Sequence, residues 1–265
     1  EPFCGWLGDP DAVQRIRDWL DRRRALSPTA LETLARCPFR FLMRYVFGLQ
    51  APRPAEDEPD RMELGLLRHR LLDWIYLALQ GQSRSLPERL RREVSPDTLA
   101  FETAAWAEPR DGVWRRVDRP SANALPLVDW SALDPEAARA AARAVVEAGI
   151  RHKEQSGDVL LGDERVWETA KPKIRASVMN ILETDIESAA REHRYPALFE
   201  MDFRDAPLLD APPLFARGRI DRIDLLFDES TALERLLVID YKGTSKARYT
   251  TAEFLGEVAA CLDCQ

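Results

Sequence analysis

The sequence predicts an α/β protein in which a large helical part, residues 1–195, packs on a compact unit of three strands and one helix, residues 196–265. Helix-start signals and apolar residues at helical spacing recur up to about residue 195. From Pro196 the pattern changes to short runs of apolar and β-branched residues, which favour strands. We expect a single domain overall, and the start at Glu1 rather than at methionine leads us to expect a piece of a longer protein.

The first predicted helical segment spans residues 27–48. Ser27 is a suitable N-cap, and Pro28 suits the first helical position. Pro38 should interrupt the segment, since proline removes a backbone donor, and Gly48 suits its C-terminal end. The segment is therefore predicted to be a helical hairpin.

The remaining elements are predicted from the same kinds of signal. A loop rich in Pro, Asp and Glu covers residues 50–61, and a strongly apolar helix covers 62–80. Residues 81–133 indicate only helical pieces and loops. The later elements are helices from Asp134 to about Gln155 and from Pro172 to about Arg194, strands over 197–204, 214–227 and 236–242, and a final helix from about Thr251.

The composition limits the possible functions. The hydrophobic share is 45%, as in globular proteins, and no apolar run approaches the roughly 18 to 20 residues that span a bilayer. The net charge of −7 argues weakly against sequence-independent DNA binding, although a nuclease needs basic residues only along its channel. Only 5 of the 38 basic residues are lysines, so a lysine in a strand is notable.

The four cysteines, Cys4, Cys37, Cys261 and Cys264, show no disulfide-framework spacing, so we expect a reducing cytoplasm. Cys261 and Cys264 form a C-x-x-C pair, which suggests a redox or metal site. The pair lacks the preceding strand and turn of a thioredoxin site, and a second pair that would complete a zinc site is missing. Two thiols on one helical face are the favoured interpretation.

The most informative segment is Val238-Ile239-Asp240-Tyr241-Lys242. Its apolar, β-branched start predicts a buried strand. Because side chains alternate across a strand, Asp240 and Lys242 are predicted to share one face. Burying such a pair is costly unless a partner neutralises it or it takes part in chemistry. Acids and a lysine on neighbouring strands could hold a divalent cation beside a water, as phosphodiester hydrolysis requires.

A second apolar segment that carries acids precedes this one, residues 218–224. Asp221 and Asp224 are three residues apart, so in a regular strand they point to opposite faces. We favour Asp221 for the site, because Ile223 and Leu225 would place its face against the core. Asp224 could be a surface acid or pair with Arg222 or Arg219, and Asp221 itself could be an edge-strand acid paired with an arginine.

Two further candidates lie outside these segments. In strand 197–204, Glu200 and Asp202 are predicted on the face opposite Phe199, Met201 and Phe203; a solvated polar face is the simpler interpretation, and Glu200 is a secondary site candidate. His69 lies in the apolar helix, and Gly65 one turn earlier would allow another backbone to approach closely. A lone histidine in such a helix is more often structural than a metal ligand.

Arg36, Arg40 and Arg44 recur every four residues and predict one basic stripe, beside aromatic surface supplied by phenylalanines and a tyrosine. The stripe could contact DNA phosphates, or it could be the solvated face of an ordinary helical hairpin. Both interpretations remain open at this point.

Taken in order, these segments resemble the PD-(D/E)XK nucleases of the RecB/AddB type. The resemblance covers most of the chain, and its specificity comes from the order and spacing of short motifs. The matching segments are Leu26–Glu32 with Arg36–Phe41, the G-x-x-x-H helix Gly65–His69, the P-x-x-x-E-x-x-F strand Pro196–Phe203, the G-x-I-D-R-x-D segment Gly218–Asp224, and the V-x-D-Y-K strand Val238–Lys242.

The resemblance implies a restriction-endonuclease-like core with a mixed central sheet flanked by helices. It implies that Asp221 and Asp240 bind Mg²⁺ or Mn²⁺ together with His69 and the Tyr241 carbonyl, and that Glu200 is the motif acid. Lys242 would orient or deprotonate the attacking water. Lysine suits that role better than arginine, because its pKa can fall when it is desolvated.

The chain departs from the family pattern in three places. Lys242 is followed by Gly-Thr, whereas the family usually has Thr-Gly or Ser-Gly. A downstream helix of the family carries a Q-x-x-x-Y motif, and Gln265 stands about where the Gln of that motif belongs, which makes it a further DNA-contact candidate. AddB-type members hold a [4Fe–4S] cluster with one cysteine before the core and three after it. Only Cys37 fits that pattern, so we expect no cluster in this chain.

The resulting hypothesis is a metal-dependent deoxyribonuclease of the bacterial cytoplasm that acts on single-stranded or duplex DNA ends. A helicase domain or subunit is the expected partner, in double-strand-break repair or recombination, and no membrane is involved. One alternative is a catalytically inactive, nuclease-like module used for DNA binding or scaffolding. The other is a thiol-redox or metal protein built on Cys261 and Cys264.

Overall fold

The structure is a computed structural model that describes residues 9–22, 25–49, 61–156, 164–210 and 213–241. The predicted final helix near Thr251 lies outside these residues, as do Lys242 and Gln265. Among the described residues, no helix is both long and apolar enough to cross a bilayer.

Seven α-helices lie within the described residues. They are α1 (Pro10–Arg22), α2 (Pro28–Arg36), α3 (Pro38–Phe41), α4 (Arg61–Leu79), α5 (Glu88–Glu93), α6 (Pro135–Gln155) and α7 (Glu164–Ser188). A π-helical turn, Leu42–Val46, continues α3, and 3₁₀ turns cover Ser83–Ser85 and Pro96–Leu99.

Seven strands within the same ranges form two sheets. They are β1 (Ala25–Leu26), β2 (Ala105–Arg110), β3 (Val113–Val117), β4 (Leu125–Leu127), β5 (Arg194–Asp210), β6 (Pro213–Phe227) and β7 (Leu233–Ile239). In the main sheet the central strand β6 pairs antiparallel with β5 and β7 and parallel with β1. The predicted α/β class with a mixed central sheet flanked by helices is therefore confirmed. The division of the chain at residue 195 stays a prediction.

The hairpin predicted over residues 27–48 forms as two helices and a π-helical turn. The Ser27 hydroxyl accepts a hydrogen bond from the Ala30 N–H at 3.2 Å, which caps α2. Pro38 starts α3 after Cys37, whose thiol caps that helix. Gly48 has a positive φ of 71°, as expected where a helix ends.

The main core lies between α4, α6 and α7. Leu71, Leu72, Val145 and Val178 are almost completely inaccessible to solvent within it. Helices α4 and α6 approach closely at Gly149, where an added Cβ would collide with the Leu71 side chain. This packing fixes α4, which carries His69, against the rest of the helical layer.

Helix α7 starts at Glu164, eight residues before the predicted start at Pro172, and it ends at Ser188 rather than near Arg194. A proline inside a helix removes one backbone hydrogen bond. Trp167 and Ala170, which precede it, are buried in the main core, and this burial offsets the loss.

The prediction of only helical pieces and loops over residues 81–133 was wrong. Strands β2, β3 and β4 form a three-stranded antiparallel sheet there. Asp111 and Gly112 both have positive φ and make the two-residue turn between β2 and β3. The pair Asp-Gly is a strong hairpin signal, but the charged residues and Pro109 of these strands obscured it.

The predicted strand boundaries need correction at two places. Strand β5 covers residues 194–210 rather than 197–204, because its pairing with β6 continues almost to the end of both strands. Strand β7 covers Leu233–Ile239 rather than 236–242, and the burial predicted for it was wrong, because Leu236 is 60% and Val238 61% exposed. The strand over 214–227 agrees with β6 to within one residue.

Candidate active site

Helix α4 supplies the histidine of the site. His69 is about one-quarter exposed, and it extends from the helix towards the middle of β5 and β6. Its Nδ1 lies 3.2 Å from Glu200 Oε1 and 3.3 Å from Asp221 Oδ1. Its Nε2 lies 3.1 Å from the Tyr241 carbonyl oxygen. One imidazole therefore brings together three elements that are distant in the sequence.

Glu200 occupies a distorted position in β5, with a φ of +46°. Such a conformation is unusual for a residue with a side chain in a strand. Phe199 packs against the helical core and stacks on Tyr76, whereas Met201 packs towards the small sheet. The prediction that Phe199 and Met201 share a face was therefore wrong, because the backbone at Glu200 interrupts the alternation.

Asp221 lies in the site, as predicted, but for a different reason. Ile223 and Leu225 pack towards the small sheet, whereas Asp221 and Arg222 both contact residues of α4. Regular alternation would place Asp221 on the side of Ile223. Asp221 instead faces His69, opposite the position on β5 where the Glu200 backbone has a positive φ.

The residues after β7 complete the described part of the site. The Tyr241 N–H donates a hydrogen bond to Asp221 Oδ2 at 2.7 Å, so this N–H is not used in the strand ladder and β7 ends before it. Asp240 helps to lower the pKa of Asp221, so the two carboxyl groups are neighbours. Asp240 therefore follows the strand rather than lying within it.

The electrostatics of the site are dominated by its carboxylates. Hydrogen bonds with Asp221 and then with Glu200 raise the pKa of His69 from 6.5 to about 10 and outweigh its burial. Burial opposes ionisation of Asp221, but hydrogen bonds from His69 and the Tyr241 N–H lower its pKa overall. Without a cation, His69 therefore serves as the positive partner of the carboxyl groups beside it.

The donor set fits a divalent cation. Ligand atoms of His69, Glu200 and Asp221 all lie within 4.8 Å of one another. The Tyr241 carbonyl and the Asp240 carboxyl group adjoin them and could add oxygen ligands. Carboxylate, carbonyl and water oxygens suit Mg²⁺ and Mn²⁺, and imidazole is also a common metal ligand.

Asp73 is an acid near the site that the sequence reasoning missed. It lies one helical turn after His69, and burial together with the nearby Glu200 raises its pKa to about 6, while Arg219 opposes the shift. An acid four residues after a histidine in an apolar helix was the available signal. Arg219 itself contacts Glu200 at 3.4 Å and Asp202 at 2.8 Å.

A second cluster of charges lies beside the site and was not predicted as a whole. Arg222 donates two hydrogen bonds to Asp224, at 2.5 and 2.6 Å, and one to Asp185. Arg194 donates to both acids, and the Tyr76 hydroxyl donates to Asp185. Asp224 is fully buried, so the surface-acid alternative was wrong and its pairing with Arg222 is confirmed.

The other predicted residues lie away from this centre or outside the described residues. Arg36, Arg40 and Arg44 line one cavity beside α2 and α3, where the Cys37 thiol is free within the described part of the chain. No described atom approaches within 4 Å of a Cβ at Gly65, so the close backbone approach predicted there is not seen. Cys4, Cys261 and Cys264 lie outside the described residues, as do Lys242 and Gln265, and their roles stay predictions.

Comparison with known proteins agrees with this arrangement. A model of the PD-(D/E)XK nuclease superfamily, whose members generally use divalent metal ions, matches residues 25–260. The chain is 26% identical over 259 residues to a subunit of the ATP-dependent helicase/deoxyribonuclease of Moorella thermoacetica. This match covers 94% of the chain but only 18% of that relative. The chain belongs to the PD-(D/E)XK nuclease superfamily and has its restriction-endonuclease-like fold.

Proposed function

We propose that this chain hydrolyses DNA phosphodiester bonds with Mg²⁺ or Mn²⁺ held by His69, Asp221, Asp240 and the Tyr241 carbonyl. The observation that carries the proposal is the cluster of His69, Glu200 and Asp221, whose ligand atoms lie within 4.8 Å of one another. Glu200 would complete the cluster as the motif acid.

The bound cation and the residues around it would have separate roles in the reaction. A bound cation would supply a water of lowered pKa and would stabilise negative charge on the phosphate. The Tyr241 N–H and His69 hold the Asp221 carboxylate in place, which limits the reorganisation needed when the cation arrives. His69 must give up its extra proton to become a ligand, since only neutral imidazole binds metals.

Lys242 follows Tyr241 directly, and in this proposal its side chain orients the attacking water as an ammonium group or deprotonates it as a neutral amine. A lysine can take both roles, because its pKa falls when it is desolvated. It also offsets charge on the phosphate that is attacked. This role rests on the family motif alone.

The biological setting is also part of the proposal. The relative from Moorella thermoacetica is named as part of a helicase/deoxyribonuclease, which supports DNA as the substrate and a helicase as the partner. We infer action on single-stranded DNA ends delivered by that helicase during double-strand-break repair or recombination, in a bacterial cytoplasm.

The test is cleavage of end-labelled single-stranded DNA with Mg²⁺ or Mn²⁺ by the unmutated chain and its variants. We expect cutting that requires the metal and falls at least about a thousandfold in Asp221→Asn, Asp240→Ala and Lys242→Ala, as when a catalytic group is lost. Asp118→Asn, a change at an exposed acid of the small-sheet region, is the matched control and should cut normally. Cutting that survives Asp221→Asn, or failure of the unmutated chain both to cut and to bind Mn²⁺, would overturn the proposal.

A further inference from the structure

A cavity of about 220 Å³ opens between α2 and the segment formed by α3 and the π-helical turn. Liquid water occupies about 30 Å³ per molecule, so the cavity could hold roughly seven waters or a hydrated phosphate group. It is lined by three arginines, one acid and three small polar residues: Arg36, Arg40, Arg44, Glu32, Thr29, Thr33 and Cys37.

The lining carries an excess of positive charge in a chain whose net charge is −7. Arg36 is paired with Glu32 at 2.8 Å, which neutralises one of the three guanidinium groups. Arg44 lies over the Tyr45 ring at 5.4 Å. Among the described residues, neither Arg40 nor Arg44 forms an ion pair, so two guanidinium groups remain for an anion.

Two exposed aromatic rings belong to the same segment as Arg40 and Arg44, next to the residues that line the cavity rather than among them. Phe39 is 44% exposed and Phe47 is 58% exposed, although large apolar side chains are usually covered. The π-helical turn lies between them. Alternating basic and aromatic side chains are typical of surfaces that follow a single nucleic-acid strand, since arginines contact phosphates while rings stack on bases.

Helix α2, which borders the cavity, packs on β6, the strand that carries Asp221. The first turn of α2 packs on Gly218, where an added Cβ would lie 3.4 Å from Pro28 Cδ. Gly218 precedes Asp221 by three residues, or about 10 Å of strand, and α2 adds about 12 Å between Pro28 and Arg36. These lengths place the cavity within roughly 25 Å of the carboxylates, or at most about seven nucleotides along a stacked strand.

We propose that this cavity binds a backbone phosphate of single-stranded DNA through Arg40 and Arg44, while Phe39 and Phe47 stack on adjacent bases. The proposal rests on the nuclease function proposed above and names a contact that holds the strand several nucleotides from the cut. Bases in a duplex are already stacked on each other, so exposed rings favour a single strand over a duplex.

The test measures binding of a fluorescent 20-nucleotide oligothymidylate by anisotropy, in EDTA so that no cutting occurs, over a series of salt concentrations. The double variant Arg40→Ala/Arg44→Ala should bind at least tenfold more weakly at low salt. Its plot of log affinity against log salt should be shallower by about 0.7, since the two arginines hold one phosphate and each phosphate contact with a single strand contributes about 0.7. The double variant Phe39→Ala/Phe47→Ala should lose about tenfold in affinity with an unchanged salt slope.

The matched control is Arg84→Ala/Arg119→Ala, which removes the same charge at exposed positions outside the cavity. It should change the affinity by less than twofold. Four results would each overturn the proposal. They are an equal loss of affinity in the control, an unchanged salt slope in the cavity variant, a loss of affinity seen only with duplex DNA, and no binding of DNA by the unmutated chain.

Failure of the nuclease proposal can be told apart from failure of this one. The unmutated chain could bind DNA in EDTA with the expected salt slopes and still not cut it. That result would support the cavity proposal and contradict the nuclease proposal. Metal-dependent cutting together with an unchanged DNA affinity of Arg40→Ala/Arg44→Ala would support the nuclease proposal and contradict the cavity proposal. If both hold, the cavity variant should show a raised KM with kcat unchanged, because the contact is remote from the reacting atoms.

Discussion

Two clusters of charged side chains lie against the same face of α4, two helical turns apart, and they differ in whether their charges cancel. Near Tyr76, two arginines face two aspartates: Arg194, Arg222, Asp185 and Asp224. Near His69, one imidazole faces two carboxylates, Glu200 and Asp221. We call these the balanced cluster and the unbalanced cluster.

The difference shows that residue type alone does not identify a functional acid. Both acids of the balanced cluster are bonded to guanidinium groups within the core, so the cluster is complete without a ligand. In the unbalanced cluster Arg219 reaches Glu200 but also pairs with Asp202, so even a protonated His69 leaves an excess of negative charge that is partly shielded from water. A divalent cation would supply the missing charge, which is why we assign stability to the first cluster and metal binding to the second.

The largest effect on stability is expected from Asp224→Ala in the balanced cluster. It leaves Arg222, which is 1% exposed, with one acid instead of two. Breaking a buried ion pair in this way costs about 3 to 5 kcal/mol of unfolding free energy. Urea unfolding followed by circular dichroism measures this. Asp202→Ala, at a more exposed ion pair on β5, is the control and should have little effect. Equal losses in the two variants would contradict the assignment.

Asp221→Asn tests the unbalanced cluster by the same method. Asparagine keeps an acceptor for the Tyr241 N–H and removes one excess charge, so the metal-free variant should lie within about 1 kcal/mol of the unmutated chain. Mn²⁺ at 100 times its dissociation constant should stabilise the unmutated chain by about 2.7 kcal/mol and the variant not at all. A large loss of stability without metal would make Asp221 a structural acid like Asp224.

Glu108, in the small sheet, is a third case: like the acids of the balanced cluster, it is an acid whose charge is matched by hydrogen-bond donors. The Ser121 N–H and Arg110 donate hydrogen bonds to it and lower its pKa from 4.5 to about 2. The pKa of Glu108 is lower in the folded state than in the unfolded state. The ionised Glu108 therefore stabilises the fold above about pH 4.5, and this contribution is lost as the pH falls towards 2. The melting temperature of Glu108→Gln should therefore lie below that of the unmutated chain at pH 7. The difference between the two melting temperatures should become smaller as the pH falls from about 4.5 towards 2. A gap that is constant between pH 7 and pH 3 would exclude this linkage.

The smallest effect is expected from Glu88→Ala. Glu88 pairs with Arg92 one turn later on α5, and both side chains are mostly exposed. Exposed pairs gain little because water screens them and their side chains lose freedom. Its melting temperature should match that of the unmutated chain within error, and a shift as large as that of Asp224→Ala would remove the distinction between buried and exposed charge pairs.

Local signals made much of the fold predictable. Asp134 caps α6 through hydrogen bonds from the Glu136 and Ala137 N–H groups, as its position before Pro135 indicated. The small sheet was missed, although Asp111-Gly112 carried a usable hairpin signal. The start of α7 was missed because tertiary burial outweighs the cost of Pro172.

The structure brings together several of the residues that the sequence named for the site, and their roles stay predictions, whereas the geometry could not be predicted. His69, Glu200, Asp221 and Tyr241 are brought together as the family motifs implied. The left-handed backbone at Glu200, opposite Asp221 in the sheet, has no counterpart in a periodic pattern. The balanced cluster was also beyond sequence reasoning, since Asp185, Arg194 and Arg222 come from three different elements.

The most direct test of the difference between the clusters is a calorimetric titration of Mn²⁺ into the unmutated chain, Asp221→Asn and Glu200→Gln at neutral pH. We predict saturable binding by the unmutated chain, no detectable binding by Asp221→Asn, and at least tenfold weaker binding by Glu200→Gln. Binding should release protons, since His69 must lose its proton to become a ligand. Unchanged binding by Asp221→Asn, or no binding by the unmutated chain, would contradict the assignment of the unbalanced cluster as the metal site.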